Sequence, residues 1–269
     1  PNSATNFQSF TAARNALANC GGITGPVVFN VAAGTYNEQI DLTAITGASA
    51  TNTITFDGGN GNAATRILNF AGQTSASLHT LRINSAQYIY VRNITIRCSS
   101  GANGWPLHIY GSSSNIKIKN CIIDFAGAGL TATNDNFDPV VVNNYAASAS
   151  PTAGQWTGTN LEIDSNRILG GNASVYLYGN NANTGVFFRN NRCDSAYYYG
   201  IYAFNLPLVK LTGNTISMSY LGSINSFGIY MSTCNASASN YHEVSANKII
   251  NCGQYGVYLI SSNGQASPR

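Results

Sequence analysis

Three side chains in the middle of this sequence are of types that could transfer protons and neutralise a carboxylate. One residue separates His108 from Tyr110, so both lie on the same face of a β-strand, and Arg82 holds an equivalent position one repeat earlier. Removing the proton next to a sugar carboxylate requires a base, an acid and a group that neutralises the carboxylate. We interpret His108 as the base, Tyr110 as the acid and Arg82 as the neutralising group, supplemented by Asp135 and Asp138 from an adjoining loop. This set predicts a metal-independent polysaccharide lyase acting on a uronate polymer.

Aromatic side chains suggest a different activity, the binding of sugars. Tyrosine combines a flat apolar face with a hydroxyl group, which suits a chain of sugar rings. Two other readings stay open, because like residues stack along parallel sheets for structural reasons, and such a face could instead contact another protein. The candidate ligand-binding residues are Tyr110, Tyr176, Tyr178, Tyr202, Phe204, Tyr230 and Tyr258, with Trp105 and Trp156 reaching in from loops.

Composition and motifs argue against several other functions. The chain has 13 Lys and Arg against 10 Asp and Glu, and its net charge of +3 without a basic cluster predicts no nucleic-acid partner. No apolar run approaches the roughly 18–20 residues of a membrane span, so no membrane insertion is expected. The outward rows from Arg82 onward contain no Asp or Glu, which argues against a calcium-dependent lyase. No cysteine pair or histidine pair has metal-ligand spacing, so we expect no metal and no cofactor.

These candidate residues lie on a strand that recurs seven times. Each copy has an apolar residue at its second and fourth positions, and the fourteen slots are all apolar. The copies are 26, 33, 35, 26, 28 and 28 residues apart, a near-constant period that is typical of a solenoid. The second positions are Leu81, Leu107, Val140, Val175, Ile201, Ile229 and Val257. The two long steps contain extra segments at 124–138 and 143–159, which we interpret as loops that wall a groove.

A second pattern follows each recurring strand. It reads apolar-x-apolar-x-x-Asn-x-apolar, and we interpret its asparagines as a stacked ladder in which each amide bonds the next. An asparagine there would also tolerate the left-handed backbone of a tight bend. The ladder residues are Asn166, Asn191, Asn214 and Asn247. Cys121 and Cys193 fall at inward positions and are interpreted as buried thiols.

The strand pairs resemble one coil of the right-handed parallel β-helix found in pectate lyases and their relatives. The segment 26–40, with its Gly-Thr-Tyr-x-Glu motif, is similar to the first coil of that superfamily. Segments 30–40 and 47–56 also resemble the start of β-helix modules in large secreted bacterial surface proteins, including those exported by the type IX system. The resemblance implies that an N-terminal amphipathic helix plugs the open end of the coil, as Phe7, Phe10, Ala13 and Leu17 on one face would allow.

We therefore expect an all-β fold, a single right-handed parallel β-helix domain over residues 1–269. Its parts are a helical cap (1–22), irregular first coils (23–78) and regular coils (79–269). The far end around Val257 lacks an obvious cap, so we expect either a missing downstream segment or contact with another domain or subunit there.

The function expected from these features is a secreted or cell-surface, adhesin-like module without catalytic activity. It would bind a polysaccharide or surface glycan through its aromatic groove. The scarcity of lysine and the abundance of Asn, Ser, Thr, Gly and Tyr favour an extracellular location. Two alternatives remain, the lyase described above and a structural spacer or filament module.

Overall fold

The chain winds into three parallel sheets of eight strands each. The computed structural model describes residues 6–99, 103–125, 133–145, 153–180, 185–220, 222–237 and 240–262. Each coil contributes one strand to every sheet, and each strand pairs with the strand one coil earlier and one coil later. This architecture confirms the predicted right-handed parallel β-helix.

The strand bounds show how regular the winding is. The first sheet contains β1 (Val27–Asn30), β4 (Ile54–Asp57), β7 (Ile89–Arg92), β10 (Ile116–Lys119), β13 (Leu161–Asp164), β16 (Val186–Arg189), β19 (Val209–Thr212) and β22 (Glu243–Ser245). The second contains β2 (Gly34–Asn37), β5 (Arg66–Phe70), β8 (Thr95–Cys98), β11 (Ile122–Phe125), β14 (Arg167–Leu169), β17 (Arg192–Ala196), β20 (Thr215–Met218) and β23 (Lys248–Ile250). The third contains β3 (Ile40–Thr43), β6 (His79–Asn84), β9 (Trp105–Tyr110), β12 (Val140–Asn143), β15 (Ala173–Tyr178), β18 (Tyr199–Phe204), β21 (Phe227–Ser232) and β24 (Tyr255–Ile260). A 3-10 helix spans Ala63–Thr65.

The N-terminal end of the coil is closed by a single helix, α1 (Phe10–Asn19), as predicted. Its Ser9 cap accepts a hydrogen bond from the Ala12 N–H at 3.0 Å, which satisfies one of the free donors of the first turn. The Glu38 carboxylate, from the segment after β2, accepts two more, from the Phe10 and Thr11 N–H groups at 3.1 and 2.8 Å. The apolar face of α1 therefore packs onto the first coils in a fixed orientation. Within the described residues, no helix has the length and apolar character needed to cross a membrane.

The core is the column of inward side chains. The recurring strands form the third sheet, and their second and fourth positions are buried from β6 to β21. Alternation explains this pattern, because residues two apart on a strand face the same side. Cys121 and Cys193 are buried in the same core. Burial raises the pKa of the Cys121 thiol to about 12 and also raises that of Cys193, so both remain protonated.

The second pattern, apolar-x-apolar-x-x-Asn-x-apolar, forms two strands rather than one. Its first half lies in the first sheet and its second half in the second sheet, joined by a sharp bend. The left-handed residue of the bend is the one before the ladder asparagine, for example Ser165 (φ 59°) and Asn190 (φ 55°), and not the ladder residue itself. A left-handed residue turns the chain within one position, which is why the two halves belong to different sheets.

The ladder asparagines lie just inside this bend. Asn166 Nδ2 donates to Asn191 Oδ1 at 3.0 Å, Asn191 to Asn214 at 3.2 Å, and Asn214 to Asn247 at 2.9 Å. Each amide also donates to a backbone carbonyl of the preceding coil, and each Oδ1 accepts a backbone N–H of that coil. The side chains thus satisfy backbone groups that the bend removes from the sheets.

Candidate functional site

The outer face of the third sheet divides into a polar half and an aromatic half. Register places Asp41, Arg82 and His108 in one column, followed by Val141 and then by four tyrosines. We call the first half the polar cluster; it consists of Asp41, His79, Arg82, Asn84, His108, Tyr110 and Asn143. We call the second half the aromatic columns; they consist of Tyr176, Tyr178, Tyr202, Phe204, Tyr230 and Tyr258.

Arg82 is the positive centre of the polar cluster. Its Nη2 donates to Asp41 Oδ2 at 2.5 Å, and Asn84 Nδ2 donates to the same oxygen at 3.3 Å. Burial alone would raise the pKa of Asp41, but the hydrogen bonds and charge of its partners outweigh it and lower that pKa. The Arg82 guanidinium lies 5.5 Å from the centroid of the Tyr110 ring. A cation is thus held over a phenol ring on the outer face.

His108 is brought next to Tyr110 but is almost completely buried, with 1% of its surface exposed. Its ring lies 5.5 Å from the Tyr110 ring and 5.1 Å from that of Trp105. Its Nε2 lies 2.7 Å from Asn143 Oδ1, which also accepts the Tyr145 N–H at 3.2 Å. Since Asn143 Oδ1 accepts both bonds, His108 carries its proton on Nε2 and its lone pair on Nδ1. Burial lowers the pKa of His108 to about 3, so the ring is neutral near pH 7.

His79, on β6, is a second buried imidazole of the polar cluster. Burial and the charge of Arg82 lower its pKa to about 4, although Asp41 opposes the shift. Its backbone carbonyl accepts a hydrogen bond from Gln39 Nε2 at 2.8 Å. The neutral ring therefore adds no second positive charge beside Arg82.

Asp135 and Asp138 lie at the boundary between the two halves rather than beside Tyr110. Asp138 is fully buried, and its Oδ1 accepts the Ala173 N–H at 2.7 Å. Asp135 accepts from Asn172 Nδ2 at 2.7 Å. Burial raises the pKa of both carboxyl groups, and the proximity of Asp135 raises that of Asp138 further. Both carboxyl groups tie the segment before β15 to the segment before β12, which is a structural role.

The aromatic columns are stacked face to face. Ring centroids are 4.4 Å apart for Tyr176 and Tyr202, 5.2 Å for Tyr202 and Tyr230, and 5.4 Å for Tyr230 and Tyr258, with interplanar angles of 20°, 6° and 29°. Tyr178 and Phe204 stack in the same way at 4.8 Å. Tyr202 and Tyr230 therefore have a stacked ring on both of their faces. A sugar approaching from outside meets ring edges and hydroxyl groups, not the flat faces on which sugars stack.

Neither tryptophan is available to a ligand at the surface. Trp105 begins β9, is fully buried, and donates from Nε1 to the Asp135 carbonyl at 2.8 Å. Trp156 is fully buried in the core and donates to the Ser113 carbonyl at 3.1 Å. The expectation that both reach into a groove is wrong, because an indole with an internal hydrogen-bond partner is more stable when packed than in water. Parts of the two predicted loop walls, 126–132 and 146–152, lie outside the described residues.

Asp41, His79 and Asn143 were not recognised as site residues from the sequence. Asp41 lies on β3, which pairs with β6 across a step of 41 residues, well outside the regular period. The outward rows therefore do contain an acidic residue. The apolar alternation of Ile40 and Leu42 was the signal that could have added this strand to the series. Across the described parts of the chain, no group of three or more His, Cys, Asp or Glu side chains is arranged to hold a metal ion.

Comparisons with known proteins agree with this fold. The chain is similar to the pectin methylesterase of Aspergillus niger in its deglycosylated form, with a TM-score of 0.57, 13% identity, and coverage of 99% of this chain and 85% of that one. It also matches the pectin methylesterase of carrot (TM-score 0.48, 13% identity, 94% and 84% covered). An alginate lyase of Paenibacillus sp. str. FPU-7 matches with a TM-score of 0.46 at 12% identity (95% and 97% covered). No family description matches the sequence, and no curated protein does.

The expected adhesin-like module without catalytic activity is corrected by these findings. The fold it shares over nearly its whole length with the Aspergillus niger protein is there the scaffold of an enzyme. The binding surface on which the expectation depended also has its ring faces covered. The polar cluster, by contrast, brings Arg82, Tyr110 and the buried His108 together on one face.

Proposed function

We propose that this protein is a polysaccharide lyase that cleaves a uronate polymer by β-elimination at the polar cluster. The observation that carries the proposal is the placement of the Arg82 guanidinium 5.5 Å from the Tyr110 ring on an outward sheet face. Arg82 would bind the sugar carboxylate and stabilise the negative charge that develops there. The scheme needs no metal ion because Arg82 supplies the positive charge.

Tyr110 would carry the proton transfers. As a phenolate it takes the proton from the carbon next to the carboxylate, and the released electron pair forms a carbon–carbon double bond as the glycosidic C–O bond breaks. The tyrosine then returns that proton to the departing oxygen, so atoms and charges balance. The burial of His108 makes it a positioning residue in this scheme rather than the base. It packs against the Tyr110 ring and is itself held by Asn143.

Asp41 sets the strength of the carboxylate site. Its ion pair with Arg82 shares the guanidinium charge, so an incoming carboxylate has to compete with an existing partner. Removing the Asp41 charge is therefore expected to tighten binding of an anionic polymer, provided that Arg82 keeps its position.

A polymeric substrate also favours action outside the cell. Recovery of the protein only from the cytoplasmic fraction would contradict that location.

The test is product formation by matched variants. We expect wild-type protein incubated with a panel of uronate polysaccharides to release unsaturated product that absorbs in the ultraviolet. Tyr110→Phe should abolish the signal, and Arg82→Gln should raise KM for the polymer. Tyr178→Phe is the control, because Tyr178 occupies the same column as Tyr110 two coils later and lies outside the polar cluster. No product from any polymer, or full activity in Tyr110→Phe, would refute the proposal.

A further inference from the structure

Within the described parts of the chain, two aspartates are the acidic side chains that lack a cationic partner. The chain has ten Asp and Glu residues, and the Glu38 carboxylate caps α1. Asp135 and Asp138 lie in the segment 133–139 before β12, which we call the aspartate segment. The other seven each form an ion pair with Lys or Arg: Asp41, Asp57, Asp124, Glu162, Asp164, Asp194 and Glu243. Something other than a fixed positive charge must therefore compensate Asp135 and Asp138.

Asp138 receives fewer hydrogen bonds than a buried, ionised carboxylate needs. It is fully buried, its Oδ1 accepts the Ala173 N–H at 2.7 Å, and its Oδ2 has no partner among the described residues. The preceding residue, Asn172, donates from Nδ2 to Asp135 Oδ1 at 2.7 Å, and its own buried Oδ1 also lacks a donor. Because residues 172 and 173 are consecutive, these two oxygens belong to groups that are held side by side. Both need a hydrogen-bond donor, since an unsatisfied buried acceptor is costly.

We propose that Asp138 is a neutral carboxylic acid at pH 7, whose Oδ2 donates its proton to Asn172 Oδ1 and so holds the aspartate segment against β15. One proton removes the buried charge and supplies the donor that both oxygens lack. Asp135 is only partly buried and keeps the negative charge of the pair. The other titratable groups that face the pair are Tyr176 on β15 and Tyr199 on β18. Burial raises the pKa of both tyrosines, so they remain neutral.

Loss of this proton at alkaline pH releases the aspartate segment. Burial and the charge of Asp135 raise the pKa of Asp138 well above its usual value. The stabilisation is therefore complete at acid pH, below the unfolded pKa, and is lost as the pH rises through the folded pKa. Above that pH two carboxylates repel each other in a site without a cation.

The polar cluster is coupled to this proton through Trp105. The fully buried Trp105 donates from Nε1 to the Asp135 carbonyl at 2.8 Å, and its ring lies 5.1 Å from that of His108. Movement of the aspartate segment therefore exposes Trp105 and loosens the contact that positions His108. The consequence for activity rests on the proposed lyase function, whereas the protonated aspartate does not.

Infrared spectroscopy detects the proton directly. We expect wild-type protein at pH 7 to show the carbonyl band of a protonated carboxylic acid, and Asp138→Asn to lack it. Asp164→Asn is the matched control and should keep the band. Burial alone would raise the pKa of Asp164, but its hydrogen bonds and the charge of Lys119 outweigh it and lower that pKa, so this carboxyl is ionised. Absence of the band from the wild type, which needs no variant to fold, or its persistence in Asp138→Asn, would overturn the proposal.

Tryptophan fluorescence measures the release. The chain has two tryptophans, so Trp156→Phe leaves Trp105 as the single emitter. As the pH is raised, we expect a reversible shift of its emission to longer wavelength before the far-ultraviolet circular dichroism changes, and Asp138→Asn should abolish that shift. If Trp156→Phe does not fold, the difference between wild type and Asp138→Asn reports the same event. No shift short of global unfolding, or an equal shift in Asp138→Asn, would contradict the release. Neither measurement uses a polysaccharide, so a failure of lyase activity leaves both results unaffected.

Discussion

Two histidines in the polar cluster make the fold sensitive to acid. Burial lowers the pKa of His108 to about 3 and of His79 to about 4, against an ordinary value of about 6.5 in an unfolded chain. At a pH between the folded-state pKa and the unfolded-state pKa of each histidine, the unfolded chain binds more protons than the folded one. Their contribution to stability is therefore complete above the unfolded pKa and is lost progressively as the pH falls towards the folded pKa.

This sign gives a testable pH dependence. We expect the free energy of unfolding to fall by about 1.4 kcal/mol per pH unit for each of the two histidines below pH ~6.5. His108→Asn should reduce the slope by about 1.4 kcal/mol per pH unit, because the side chain at position 108 then takes up no proton when the chain unfolds. The measurement is urea unfolding at successive pH values from neutral to acid. His242→Asn, at a half-buried site, is the control and should change the slope less; an unchanged slope in His108→Asn would contradict the assignment.

At the scale of the element, each bend depends on its asparagine. Asn191 Oδ1 accepts both the backbone N–H and the side chain of Asn166, and its Nδ2 donates to the Ile163 carbonyl at 2.8 Å. These groups lie inside the coil where water cannot replace the lost bonds. The ladder thus stabilises the corner at which the first sheet passes into the second.

Asn191→Ala should therefore be strongly destabilising. Leaving two buried backbone groups without partners costs about 1–3 kcal/mol each, so we expect a loss of about 2–6 kcal/mol. Asn247→Ala, at the last and less buried bend, should cost less. Chemical denaturation of both variants measures the difference. Equal losses would show that the ladder contributes no more than local turn preference.

Close packing between sheets favours glycine at the start of the recurring strand in the later coils, at Gly200 and Gly228. A Cβ at Gly228 would lie 2.4 Å from Ile249 Cγ2 and 2.6 Å from the Gly256 carbonyl oxygen. At Gly256, the same position one coil later, a Cβ would have no described atom within 4 Å. At Gly228 the third sheet thus approaches the second too closely for a side chain, whereas Thr80, Pro106, Pro139 and Ser174 hold the same position in earlier coils.

Gly228 and Gly256 are expected to respond differently to substitution by alanine. Gly228→Ala should destabilise the fold by about 1–3 kcal/mol, the usual cost of overpacking, while Gly256→Ala should be close to neutral. Thermal unfolding of the two variants is sufficient to compare them. If Gly256→Ala proved as costly as Gly228→Ala, the region beyond Gly256 would be more crowded than the structure shows.

At the scale of the whole molecule, the solenoid is asymmetric along its axis. Its N-terminal end is sealed by α1, its first half presents the polar cluster, its second half presents the aromatic columns, and its far end exposes Val257 and Leu259. Each coil contacts only the coils above and below it, so stability adds along the axis.

The sequence by itself determined the fold, the inward and outward faces of the third sheet, the asparagine positions and the capping helix. These features follow from local rules: alternation along a strand, a recurring period and the residue preferences of bends. The three residues Arg82, His108 and Tyr110 could also be placed on one face for the same reason.

Only the tertiary structure decided which of those residues are accessible. The pairing of Asp41 with Arg82 depends on two strands joined by an irregular step, which no period predicts. The burial of His108, Trp105 and Trp156 depends on segments that cross from neighbouring coils. The covered faces of the tyrosine rings result from the rung spacing, which lets rings in adjacent coils touch. Alternation fixes the direction of a side chain, but exposure is set by what the coils above and below place against it.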